Sequence, residues 1–297
     1  MLRDDVAFLV AAGQYAASAD NSQPWRFIRD GADLRLVYDA ERVANRTFGP
    51  DDPATLLAMG GVIENLLQAA DFLGIALRTD LEPRDFEGGR CYLRISLPGE
   101  GGISRSADAK TMPLRDRHTN RFSFKRQPIP AGVLSRVVDE TEGAARVVVL
   151  DDRHIVRRMA VLVRRASEIR FQTREVHEWL GESLRFGTQE VASGDGLDVA
   201  TLDLPPGGSL FLKFIRDWRR MAFLNRFGVY RLLSLVDSAP VGKAPALIAV
   251  ISPEEDKDIL SAGRLMTRVW TTLNGDGVAV HPYFVITDQL QLSLIHI

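Results

Sequence analysis

Residues 50–75, "PDDPATLLAMGGVIENLLQAADFLGI", carry a whole helix with its own punctuation. Asp51 or Asp52 can cap the start, because a carboxylate there accepts from backbone N–H groups that have no partner in the first turn. Pro53 suits that first turn, and Gly74 suits an exit in left-handed backbone. Leu56, Met59, Ile63, Leu66, Ala70 and Leu73 keep an apolar stripe at helical spacing. Gly60 and Gly61 interrupt it, and each costs about 1 kcal/mol against alanine in a helix interior. They are either a tolerated flaw or the mark of a buried helix that another backbone approaches closely. A second stretch, "DKDILSAGRLMTRVWTTLNGDG" at 256–277, echoes the first, with Gly263 inside and an exit from Gly275 to Val278. Each helix follows a β segment. The recurrence predicts two copies of one α+β unit packed together.

Working outward, Val6, Leu9, Val10, Gly13, Ala16 and Ala17 predict a helix over 5–17. "WRFIRDGADLRLVYD" predicts a hairpin turning at Asp30-Gly31. "RCYLRISL" reads as a strand, and the Gly/Ser-rich 99–110 as a seam. The expected units are therefore 1–105 and 106–297. The second half reads as a helix near 131–141, the strand "ARVVVL" and a charged helix from Asp152 to about Arg170. A long loop at 193–209, an aromatic helical segment at 210–236, a buried strand "APALIAVI" and the second glycine helix follow.

Composition limits the function classes. Net charge is −2 and the pI near 6.2, so no overall basic field favours nucleic acid or an anionic membrane. No apolar run is long enough to span a bilayer. The N-terminal "MLRDDVAFLVAAGQY" is unlike a secretory leader. Cys91 is the single cysteine, which rules out a disulfide framework. These features predict a cytoplasmic protein. His118, His154, His177, His281 and His296 show no metal-ligand spacing, so no metal is expected. Asp195-Gly196 and Asp276-Gly277 read as turns, Asp151-Asp152 as a helix cap, and Arg157, Arg158, Arg164 and Arg165 as a solvated face. Trp218, Phe223 and Phe227 read as core packing or as the lining of an apolar pocket. Phosphate-loop, dinucleotide and nucleophile-elbow motifs are missing. "LSLIHI" at 292–297 is what CTG TCT CTT ATA CAC ATC, a transposon end used in sequencing libraries, would encode. Adapter read-through is expected there, with a natural chain that continues differently.

Two segments remain. "SADNSQPWRF" from Ser18 places hydroxyl, carboxamide and backbone donors on a turn fixed by Pro24. Asn21 and Gln23 each offer a donor and an acceptor, which suits the edge of a planar heterocycle. "RDRHTNR" places Arg117, His118, Thr119 and Arg121 within five residues, a composition suited to a phosphate. Taken singly, each could be a capped helix end or a surface loop. Together they suit one ligand with a phosphate at one end and a polar ring at the other.

Here the sequence resembles the FMN-dependent nitroreductase superfamily. "ASADNSQPWRF" is similar to that family's P-S-x-x-N-x-Q-P-W signature, with Ala17 in the Pro position, and "RHTNR" to its R-[RH]-[ST]-x-[RK] signature. The second signature normally opens a subunit, whereas here it lies about a hundred residues after the first. That order resembles the branch in which two nitroreductase-like units are fused in one chain, including Acg-type and ThiF-linked proteins. The resemblance implies an α+β nitroreductase-like fold built as an intrachain pseudo-dimer, a monomer or a homodimer of such chains, with one FMN per chain. Ser18, Asn21 and Gln23 would meet the flavin. Arg117, His118 and Thr119 would sit at the phosphate, and Arg121 near the N1/O2 edge of the ring. "GVAVHPYF" resembles the family stretch beside flavin N5, which implies Pro282, Tyr283 and Phe284 there. The corresponding first-half stretch "IALRTD" lacks the Pro, so the duplicate site is expected to be lost. Basic residues that often complete the family's phosphate site near the chain end have no counterpart here, which implies weakened FMN binding. The implied activity is that of an NAD(P)H oxidoreductase passing electrons through FMN to a nitroaromatic, a quinone or another small acceptor, without a catalytic side chain. A flavin-sequestering role, in which a lid-like insertion near 193–236 would cover the flavin, and a part in a ThiF-linked biosynthetic system are the alternatives.

Overall fold

The computed structural model describes residues 3–43, 48–81, 84–86, 89–96, 112–125 and 127–287. The expected seam at 99–110 and the terminal 292–297 lie outside them. Contacts divide the chain into two units. The first holds Met1–His118, Ser135–Val148 and Val250–Val278, and the second Thr119–Leu134, Val149–Ala249 and Ala279–Ile297. This division follows packing, and its first unit draws on both of the sequence halves expected at 1–105 and 106–297.

The first unit begins with α1 (Arg3–Gly13), followed by a 3-10 turn at Ala19–Asn21. β1 (Trp25–Asp30) and β2 (Asp33–Tyr38) pair antiparallel, with Trp25 opposite Tyr38 and Asp30 opposite Asp33. Gly31, at φ 58°, supplies the left-handed backbone that this two-residue turn needs. α2 (Pro53–Leu73) follows, then β3 (Arg78–Asp80), β4 (Arg84–Phe86) and β5 (Gly89–Ser96). The sheet order is β1-β2-β5-β3, with β4 also on β5. Leu9, Leu36, Leu56, Ile63, Leu66 and Tyr92 bury their side chains in one core. Burial pushes the Cys91 thiol up, which leaves it a packing residue. α2 has the length and mean hydropathy of a membrane span, yet 72% of its apolar window is buried by the protein. It is the core helix of this unit.

The chain continues through α3 (Ala131–Leu134), β6 (Thr141–Glu142), β7 (Ala145–Leu150), α4 (Arg153–Arg170), α5 (Arg174–Ser183), β8 (Leu184–Arg185) and α6 (Thr188–Val191). It ends with β9 (Leu197–Asp198), α7 (Gly208–Ile215), α8 (Trp218–Asn225), α9 (Val229–Lys243), β10 (Leu247–Ile251) and α10 (Asp256–Gly275). In the second unit α4 packs against α9. Asp152 caps α4 by accepting from the His154 and Ile155 N–H groups. Arg153 donates to the Ala244 and Gly242 carbonyls at 2.6 and 2.9 Å, which satisfies the open end of α9.

Several expectations need correction here. The helix near 131–141 is a single turn that ends at Leu134, and Thr141 already lies in β6. Residues 193–209 are not one long loop. Leu197 and Asp198 pair in parallel with Leu184 and Arg185, and Val199–Thr201 form a 3-10 turn. Arg185 locks this region by a fork of hydrogen bonds to both Asp195 oxygens. Segment 210–236 is helical as expected, in three helices interrupted at Arg216-Asp217 and around Gly228. β10 is half-buried rather than buried. Phe223 and Phe227 are 56% and 74% exposed, so they are not core.

α2 and α10 meet at their glycines, within the first unit. A Cβ on Gly60 would lie 2.2 Å from the Leu260 carbonyl oxygen, and one on Gly263 the same distance from that of Leu57. The contact is reciprocal, and one constant offset in residue number relates all its parts. It pairs Leu57 with Leu260 and Gly60 with Gly263. It also pairs the N-cap Asp52 with the N-cap Glu255, and the exit Gly74 with Gly277. Even the closing hydrogen bonds correspond, Ile75 N–H to Ala70 O and Val278 N–H to Leu273 O, both at 2.8 Å.

Candidate functional site

In the first unit the candidate residues gather at the end of α1. Ser18 Oγ accepts from the Gln23 N–H at 2.9 Å, closing the turn. The Gln23 carboxamide donates to the Asn21 carbonyl and side-chain oxygens, both at 3.3 Å. Asp20, Asn21 and Gln23 have φ of 46°, 55° and 50°. Left-handed backbone costs a non-glycine residue roughly 1–2 kcal/mol, and Gln lacks the short side chain that eases it for Asp and Asn. Three such residues in four positions mark a turn held in one shape by its surroundings, here the Ser18 hydroxyl and the buried Pro24 and Trp25. Strain of this kind clusters at ligand clamps.

Arg117 reaches the same place. Its Nη2 donates to the Tyr15 carbonyl at 2.9 Å, and its guanidinium lies 4.6 Å from the Trp270 ring centroid. Its Nε is buried without a protein partner. Burial pushes the guanidinium pKa down, yet arginine stays charged at physiological pH. α10 sets the backbone here. Trp270 Nε1 donates to the His118 carbonyl at 3.0 Å, and Asn274 Oδ1 accepts from the His118 N–H at 2.8 Å. The His118 ring turns back to the Asp116 carbonyl, 2.8 Å from Nδ1. Trp270 and Asn274 are positioning residues that sequence reading passes over. Their one signal is a spacing of four on a helix, which places both on one face.

The remaining candidates lie in the second unit. Thr119 forms a parallel bridge with Val280, and the Asn120 N–H donates to the Val280 carbonyl at 2.8 Å. "TNR" therefore runs alongside the start of "VHPYF". Arg121 Nη1 approaches the Thr201 hydroxyl at 3.4 Å. Pro282 is exposed and Phe284 half-buried. The Tyr283 hydroxyl donates to the Asp237 carbonyl at 2.9 Å, and burial pushes its pKa up. His281, to which sequence reading gives no role, stacks on Tyr283 with ring centroids 4.5 Å apart, its Nδ1 buried and unpartnered. Burial, helped by the Arg121 charge, lowers its pKa to about 4. The ring is therefore neutral at pH 7.

That shift fixes a pH dependence. Between about pH 6.5 and pH 4 the unfolded chain binds a proton at His281 that the folded chain does not. Stability is complete above that window and falls as pH drops through it, by up to about 3 kcal/mol. His281→Phe keeps the ring contact and should flatten this part of the profile, read as urea midpoints in wild type and variant from pH 7 to 4. Parallel profiles would show that the imidazole is charged, or solvated, in the folded state.

Among the described residues no group of His, Cys, Asp or Glu could hold a metal ion. No protein-family model matches the chain. It is similar to the uncharacterized protein MT1398 of Mycobacterium tuberculosis (strain CDC 1551 / Oshkosh), with 25% identity over 271 residues. The match takes in 90% of this chain and 37% of that protein, so the chain spans little more than a third of its relative's length.

Proposed function

We propose that the chain is an FMN-binding oxidoreductase of the nitroreductase type, with two related α+β units fused as an intrachain pseudo-dimer. The observation that carries the cofactor is Arg117. A half-buried guanidinium laid on an indole, with its Nε buried and without a protein partner, beside a turn of strained backbone, suits an anion. FMN brings a phosphate to such a group. The polar turn at Ser18, Asn21 and Gln23 suits the hydrogen-bonding edge of its ring. Thr119, Arg121 and Pro282 to Phe284 are the partners that the family resemblance adds. When bound, FMN supplies the chemistry, taking hydride from NAD(P)H and passing electrons to a small acceptor such as a nitroaromatic or a quinone. The protein's part is to hold and orient, and no side chain need act as acid or base. The fused architecture is supported by the reciprocal α2–α10 contact, whose constant offset is what duplication of one helix unit produces.

A fluorescence titration with FMN tests this. The wild-type chain should quench the flavin saturably. Arg117→Ala should weaken binding about 10- to 100-fold, the worth of one charge-assisted contact to a phosphate. Arg117→Lys should recover part of it, because the ammonium keeps the charge and loses the fork. NAD(P)H consumption with bound flavin then separates an enzyme from a flavin store. A wild-type chain that binds no FMN would overturn the proposal.

A further inference from the structure

The net charge of −2 averages over the chain and hides a local imbalance. The segment running through α7, α8 and α9, with its two short connections, carries Lys213, Arg216, Arg219, Arg220, Arg226 and Arg231, all exposed. Their acids are two. Asp217 is held at the N-cap of α8 by the Arg219 and Arg220 N–H groups, and Asp237 accepts from Ser167 Oγ at 2.5 Å. The same helices expose large apolar side chains at helical spacing. Leu210 (75%) and Phe214 lie on one face of α7, Phe223 lies on α8 and Phe227 just past its end, and Leu232 (59%) and Val236 lie on one face of α9. Arg220 stacks over Phe214 at 4.9 Å, and the Phe223 and Phe227 rings meet edge-on at 5.4 Å. Basic and apolar groups therefore share one neighbourhood.

We propose that α7–α9 dock onto an anionic lipid surface, the phenylalanines and leucines entering the headgroup boundary and the arginines pairing with lipid phosphates. Short amphipathic helices with Phe and Leu on one side and Arg on the other are the residue pattern of interfacial binding. Charge decides against a second copy of this chain, because self-contact across a two-fold axis would set arginine against arginine.

Co-sedimentation of the full chain with vesicles tests this. Binding is expected to phosphatidylglycerol–phosphatidylcholine vesicles at low salt and not to pure phosphatidylcholine, with loss as salt rises. Phe214→Ser/Phe227→Ser should lower partitioning by about tenfold or more. Arg219→Glu/Arg220→Glu should abolish it, and both variants should keep the wild-type thermal midpoint. The proposal is overturned if the wild type ignores anionic vesicles or if the Phe variant binds as well as wild type. It is also overturned if the wild type self-associates in sedimentation velocity and the Phe variant does not, which would assign the surface to a second copy. None of these outcomes touches the FMN titration.

Discussion

Gly263→Ala is expected to destabilise the protein by about 3 kcal/mol or more, at the upper end of overpacking effects. The added methyl would sit 2.2 Å from the Leu57 carbonyl oxygen. That oxygen belongs to the backbone of a buried helix and cannot rotate aside as a side chain could. Relief requires α2 and α10 to separate, which loosens every contact along both. Gly60→Ala meets the Leu260 carbonyl at the same distance and should cost as much. The double variant should cost clearly less than the sum, since helices already forced apart accommodate the second methyl. Gly132→Ala is the control, because nothing lies within 4 Å of where its methyl would fall, and it should change stability little. Urea midpoints at unchanged slope read all four. Two glycine variants each within about 1 kcal/mol of wild type would mean that the helices do not cross so closely.

The glycine helix is the most legible part of the sequence, because its signals are local. The Asp52 cap, Pro53 and the left-handed Gly74 each act within one turn, and all three lie where the spacing predicts. The Asp30-Gly31 hairpin is legible for the same reason. The echo between the glycine helices is faint in residue identity and plain in geometry. Close backbone approach requires glycine at both Gly60 and Gly263, a demand that spacing does not reveal. Segments whose form depends on distant partners depart from their expected form. Residues 135–139 have apolar spacing enough for a helix but turn instead toward β6. Residues 193–209 look featureless, yet Asp195 takes the Arg185 fork and Leu197 pairs with Leu184, contacts that spacing does not reveal. In the candidate site the turn and Arg117 are legible as residue types. Trp270 and Asn274, which fix the backbone after Arg117, are not, because a Trp on an amphipathic helix reads as core.

Glu64→Ala is the second large effect, expected at about 3–5 kcal/mol. Glu64 is 3% exposed, at the middle of the central helix. Its two oxygens receive Arg268 Nε and Nη2 at 2.9 and 3.0 Å, and Gln68 Nε2 adds a third donor at 3.1 Å. Arg264 stands 3.4 Å from one oxygen and pairs also with Glu142, which takes Arg268 Nη2 at 2.6 Å. Glu140, more exposed, stands 3.6 Å from Arg268 Nη1, so three acids and two arginines share one half-buried cluster, and Glu64 and Glu142 push the Arg268 pKa up. The constant offset that relates the helices places Thr267 opposite Gly61 where it places Glu64 opposite Arg264. One side of the crossing is therefore ionic and the other small. The two helices are related in backbone and differ in the chemistry of their facing side chains. Removing Glu64 takes away the most buried carboxylate, leaving Arg268 without its fork and both arginines sharing Glu142, with only the outlying Glu140 beside them. Glu64→Met/Arg268→Met instead leaves the Arg264–Glu142 pair intact and frees only the more exposed Glu140, and it should be more stable than Glu64→Ala alone. If the double variant proves the weaker of the two, the cluster matters through its packing and not its charge balance.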